Sequence, residues 1–170
     1  MDFIDRLVDH DLWITNKILT AAKGLTDEQL DAALPMTAQA MCFEQEQVSV
    51  RDLIDMILFT KEVWIAAVEK QGFPDNRDRS VEGLIRRAEV ALPMFAAVAK
   101  RVRDGGEWDT AFVDELCEEP VPFSFGGMIA HVFTTTLYRR LLILEALRRM
   151  GVKEVGYGDP LEWEQALAKA

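Results

Sequence analysis

A chain of 170 residues with 49% hydrophobic and 28% charged side chains has the composition of one folded globular domain, which excludes a disordered segment or a disulfide scaffold. Its net charge of −10, from 29 acidic and 19 basic side chains, repels phosphate backbones and anionic lipid, so neither nucleic acid nor a membrane is an expected partner. The opening MDFIDRLVDHD is charged from its second residue, no window approaches a membrane span, and Cys42 and Cys117 stand far apart in no metal-like spacing; a cytoplasmic protein with reduced thiols is expected.

The first helix is predicted to follow Asp2 and run to about Lys23, with Phe3, Leu7, Ile14 and Ile18 at helical spacing and Gly24 as the stop. A short helix begins at Thr26, whose capping box is completed by Gln29, and ends before Pro35. Residues 35 to 48 show no period and read as a loop. A second long helix starts at Ser49, boxed by Asp52, and ends at Gly72, with Leu53, Ile57, Thr60, Trp64 and Ala67 along one face. GFPDNRDRS is a break, after which Ser80 caps a third helix to about Arg103, with a kink expected at Pro93.

Gly105 and Gly106 end that helix, and Trp108 to Phe125 reads as an irregular stretch or short hairpin. A fourth long helix runs from about Ser124 to Met150, and Asp159-Pro160 opens a last short one. The predicted fold is an all-α four-helix bundle in a single domain, with short extra helices and an irregular loop or hairpin before the last long helix.

The fourth helix is apolar almost all round, which predicts a central position, yet His131, Thr135, Tyr138 and Arg139 form a polar stripe along one side. Two accounts fit that stripe. One is a structural network in which Thr135 bonds its own backbone and Arg139 reaches solvent; the other is a polar-floored pocket between helices. The basic pairs Arg86-Arg87, Arg139-Arg140 and Arg148-Arg149 fall on separate helices and mostly read as solvated faces. His10, one turn from both Leu7 and Ile14, leans toward the buried face.

With two histidines in the whole chain, a three-histidine metal site cannot be built in one subunit. Leu7 and Met128 stand three residues before the histidines, where a di-iron bundle needs glutamates. No H-E-x-x-H, phosphate-cradling loop or nucleophile elbow is present. Gly126-Gly127 reads as easing entry into a helix, and the aromatics Trp13, Phe59, Trp64 and Phe133 as core. Neither Tyr138 nor Cys117 has an activating neighbour in sequence.

Three segments together carry a resemblance: LVDHDLWITNKILTAAKGLTDEQL, SVRDLIDMILFTKEVWIAAVE and FSFGGMIAHVFTTTLYRRLLILEALRRMGV. In their order and spacing the chain resembles the DinB-like superfamily of four-helix bundles, which includes YfiT-type proteins and thiol-dependent transferases. The resemblance implies a zinc or nickel site held by one histidine of the second helix and a His-x-x-x-His pair of the fourth. The aligned positions here are Met56, Thr135 and Arg139, so the implied expectation is that the site is lost and no metal cofactor is bound. His131 matches a histidine one turn before the first ligand of the fourth helix.

Three functional readings follow. The first is a binding or regulatory module with a small-molecule pocket or a homodimer surface. The second is an enzyme without metal, a transferase or hydrolase acting on a thiol- or carboxylate-bearing substrate through His10, His131, Tyr138 and Arg139. The third is a substitute metal site of His10, His131 and Asp55.

Overall fold

The computed structural model describes residues 1–35, 48–75, 77–116 and 119–169. The expected loop over 35 to 48 falls almost wholly outside these residues, as do Cys42 and Cys117. Helix α1 spans Phe3–Ala22, and α2 spans Asp27–Asp31. Helices α3 and α4 span Val50–Val68 and Val81–Gly105. Strands β1 (Ala111–Asp114) and β2 (Val121–Ser124) pair antiparallel, Ala111 opposite Ser124 and Asp114 opposite Val121. Helix α5 follows directly over Phe125–Arg149, and α6 closes the described chain over Pro160–Leu167. The protein is mostly helical, and no helix among the described residues is long and apolar enough to cross a membrane.

The starts of these helices are set by local chemistry. Asp2, Thr26, Ser49, Ser80, Ser124 and Asp159 each accept a backbone N–H of the first turn. The Thr26–Gln29 and Ser49–Asp52 boxes form reciprocally. Helix α3 stops short of Gly72, because Lys70 takes a left-handed conformation (φ 52°) and the Gln71 N–H folds back onto the Ala66 carbonyl. Pro93 sits on an exposed face of α4, which runs through it as one element. Gly126 permits more than helix entry: its N–H donates to the Trp108 carbonyl at 2.8 Å, and a Cβ there would meet that oxygen at 2.8 Å.

Helix α3 packs against α4 and α5, and α1 against α4, α5 and α6. The buried apolar residues divide into two clusters. One gathers Ile14, Ile18, Leu53, Ile57, Leu84 and Leu144. The other gathers Val8, Ile65, Phe95, Val102, Met128 and Val132. On α1, α3 and α5 the boundary between the clusters falls at the same level, and each helix places a charged residue there.

Helix α5 packs against α1, α3 and α4 yet is not covered all round. Leu137 and Leu141 are 51% and 55% exposed, and Tyr138 on the same side is also exposed. Apolar character around the whole circumference therefore reflects a buried face plus an uncovered apolar stripe.

Candidate functional site

The boundary between the two apolar clusters is an ionic layer. Asp11 from α1, Lys61 from α3 and Arg140 from α5 meet there, with Thr136 beside them; all are buried, Lys61 to 0% exposure. Arg140 Nη2 donates to Asp11 Oδ1, and Lys61 Nζ lies 3.4 Å from Asp11 Oδ2 and 3.4 Å from Thr136 Oγ1. Lys61 Nζ also stands 5.8 Å from the centre of the Phe95 ring. One carboxylate thus serves two cations.

Burial perturbs both cations. Burial, the largest influence, pushes the Lys61 ammonium below its ordinary pKa, and the charges of Arg140 and Arg139 push the same way while Asp11 opposes them. Burial likewise lowers the pKa of Arg140, with Asp11 opposing. The Arg140 Nε is buried without a hydrogen-bond acceptor among the described residues, a condition that costs about 1–3 kcal/mol for such a donor.

None of Asp11, Lys61, Thr136 or Arg140 stands out in the sequence as chemistry. The signal that could have been read is the phase of Asp11, which follows Leu7 by four and precedes Ile14 by three, so a carboxylate occupies the core stripe of its helix. The solvated reading of the basic pairs requires correction for three residues. Arg86, Arg148 and Arg149 are exposed, whereas Arg139 and Arg140 are buried and Arg87 is nearly so.

The polar stripe of α5 divides. Arg139 is turned inward rather than to solvent; its Nη1 donates to Thr60 Oγ1 of α3 at 3.0 Å, and Thr60 donates in turn to the Met56 carbonyl at 2.8 Å. Met56 and Arg139 are therefore joined across α3 and α5 through Thr60. Thr135 donates to the His131 carbonyl of its own helix at 2.8 Å, as the structural account of the stripe has it. The His131 ring packs edge-on against Trp64 at 5.7 Å, and burial, then the Arg139 charge, lowers its pKa. Tyr138 points away from this seam into the exposed stripe.

Met56, Thr135 and Arg139 do not fit a divalent cation. A thioether is a poor donor to zinc or nickel, the threonine hydroxyl is engaged by its own helix, and a guanidinium has donors only and repels a cation. The mixed site of His10, His131 and Asp55 is not assembled either. Asp55 is buried near the N-terminal ends of α3 and α4 among Arg87 (2.6 Å), Arg77 (3.3 Å) and Arg79 (3.5 Å), and is taken up by them. No group of three His, Cys, Asp or Glu side chains placed to hold a metal exists among the described residues.

His10 is buried, as its position in the α1 stripe predicts. Its Nε2 pairs with the Gly158 carbonyl at 2.9 Å, and the ring lies between Trp13 and Trp163. Burial is the main reason its pKa is lowered, with the Gly158 bond acting against it. Gly158 fits because it has a positive φ of 72° and because a Cβ there would come within 2.7 Å of Ile14. The segment is further held by Glu162, which accepts the N–H groups of Tyr157 and Gly158 and pairs with Lys17.

Between α1, α5 and this segment opens a groove of about 510 Å³. Phe3, Leu7, Phe133, Leu137 and Leu141 give it apolar walls, and Trp108 and Tyr157 add aromatic surface. Its polar groups converge from His10, Arg140 and the rim residues Thr134 and Asp159. An apolar concavity of this size with few polar groups has the form of a small-molecule site. A second hollow of about 620 Å³ lies between α1 and residues 152–155, lined by Trp13, Lys17 and Glu154.

Comparison with family models, curated protein sequences and solved structures finds no match to this chain.

Proposed function

We propose that this chain is a DinB-like four-helix bundle that has lost the metal site of its relatives and works as a small-molecule-binding module, its ligand seated in the groove between α1 and α5. The carrying observation is that groove: about 510 Å³ of apolar space bordered by His10 and the buried Arg140. The residues at the aligned metal positions support the same reading, since Met56 and Arg139 are joined through Thr60 while Thr135 bonds its own helix, an arrangement that lacks metal-binding chemistry. Loss of one site and presence of another are separate claims. Each has its own test.

For the groove, the neutral fluorophore N-phenyl-1-naphthylamine should brighten on binding at a single saturable site. Ala130→Trp, which fills an exposed wall position, should abolish the signal without disturbing helicity. Failure of the parent protein to bind would sink the groove. For the metal, protein purified without added metal should carry zinc and nickel far below one equivalent. Stoichiometric metal would overturn that half.

A second reading is favoured by one observation, the exposure of Leu137 and Leu141 beside Tyr138. In it a second copy of the chain covers this stripe as a homodimer, and the groove is closed by protein instead of ligand. The fluorophore separates the two readings, because a stable homodimer over this face excludes it.

A further inference from the structure

We propose that the ligand of this groove carries a single anionic head group, a carboxylate in its simplest form, that seats against Arg140 while its apolar body lies along Phe133, Leu137 and Leu141. The inference rests on the groove being a binding site and names the class of molecule it takes.

Three observations carry it. Arg140 borders the groove, its side chain is 5% exposed, and its guanidinium uses Nη2 on Asp11 while its Nε has no acceptor among the described residues. A buried guanidinium that lines the groove and keeps one donor without an acceptor is completed by an anion oxygen, which adds a charge-assisted hydrogen bond. Behind Arg140, Asp11 is shared with Lys61, so the layer beneath this end of the groove holds two cations against one carboxylate. An incoming negative charge meets that imbalance.

The other polar groups of the groove do not supply the missing acceptor. His10 Nε2 is taken by the Gly158 carbonyl. The rim carboxylate of Asp159 caps α6 by accepting the Glu162 N–H at 2.8 Å. The apolar walls disfavour a sugar or a polyanion, whose further polar groups would be left unpaired. A chain or ring system with one charge at one end matches the walls and the floor together.

Isothermal titration calorimetry with octanoate, octanol and octylammonium tests this on the intact protein. Octanoate should bind at least about tenfold more tightly than octanol, a gap of about 1.4 kcal/mol, and octylammonium should bind most weakly. Arg140→Gln, its fold checked by circular dichroism, should bring octanoate and octanol to the same affinity. Should that variant fail to fold, salt decides on the parent protein: octanoate binding must weaken as sodium chloride rises while octanol binding does not. Equal affinity for octanoate and octanol in the parent overturns the anionic head group and leaves the groove standing. Binding of none of the three, or binding that survives Ala130→Trp, overturns the groove itself.

Discussion

Asp11 and Arg140 form an ion pair with side chains only 2% and 5% exposed, and the pair lies at the level where the two apolar clusters of the core meet. Asp11 is also the partner of Lys61, so removing its charge strands two buried cations. Removing Lys61 strands none, because Arg140 keeps Asp11. Asp11→Asn should therefore cost about 3–5 kcal/mol of stability, while Lys61→Met should stay within about 1 kcal/mol of the parent. Urea unfolding of the two variants measures both, and equal losses would refute the shared-carboxylate account.

The two histidines set a pH dependence with a definite sign. Both titrate at an ordinary value of 6.5 when the chain is unfolded, and burial holds both lower in the fold. Between the folded values and 6.5 the unfolded chain binds more protons, so their contribution is intact above 6.5 and is lost as pH falls below it. Lys61 acts in the same sense at alkaline pH, with stability rising toward 10.5. The urea midpoint should drop between pH 7.5 and 5.5, and the combined His10→Asn, His131→Gln variant should flatten that drop.

Gly158→Ala combines an unfavourable positive φ with a collision at Ile14 and Leu144. A loss of about 1–3 kcal/mol is expected. It should be felt first where the segment is docked, through faster amide exchange across Pro160–Leu167 and loosened burial of Trp163. Uniform acceleration across all helices would place the effect elsewhere.

The exposed stripe of α5 gives a prediction about assembly. If a second copy covers Leu137 and Leu141, sedimentation equilibrium at micromolar concentration finds a dimer, and Leu137→Glu with Leu141→Glu returns it to monomer. A parent protein that is already monomeric under those conditions removes the homodimer and leaves the groove open to ligand.

Helix starts were legible because they are local: a serine, threonine or aspartate and the residue three positions on contain the whole signal, as at Thr26 and Ser49. The short hairpin was legible as an option, from the alternation and prolines between Trp108 and Phe125. The end of α3 was missed because a left-handed lysine at position 70 did what a glycine was expected to do. The site was harder for a different reason. Asp11, Lys61 and Arg140 belong to three helices and are separated by 50 and 79 or more positions, so their pairing is a product of packing. The phase of Asp11 between Leu7 and Ile14 was readable. Its partners were not, since lysine and arginine on a helix are by default solvent residues. Arg139 lies on the polar stripe that the sequence shows, but where one of the two accounts of that stripe sends it to solvent the structure gives it to Thr60.

The bond between His10 and Gly158 joins residues 148 positions apart, and this has a consequence for synthesis on the ribosome. One border of the groove, on α1, leaves the ribosome well before the opposite border at Tyr157 and Gly158. Until Gly158 has left the exit tunnel, the nascent chain exposes Phe3, Leu7 and the α5 stripe with no facing wall. A chain stalled before Gly158 would present an adhesive apolar edge to the first chaperone it meets.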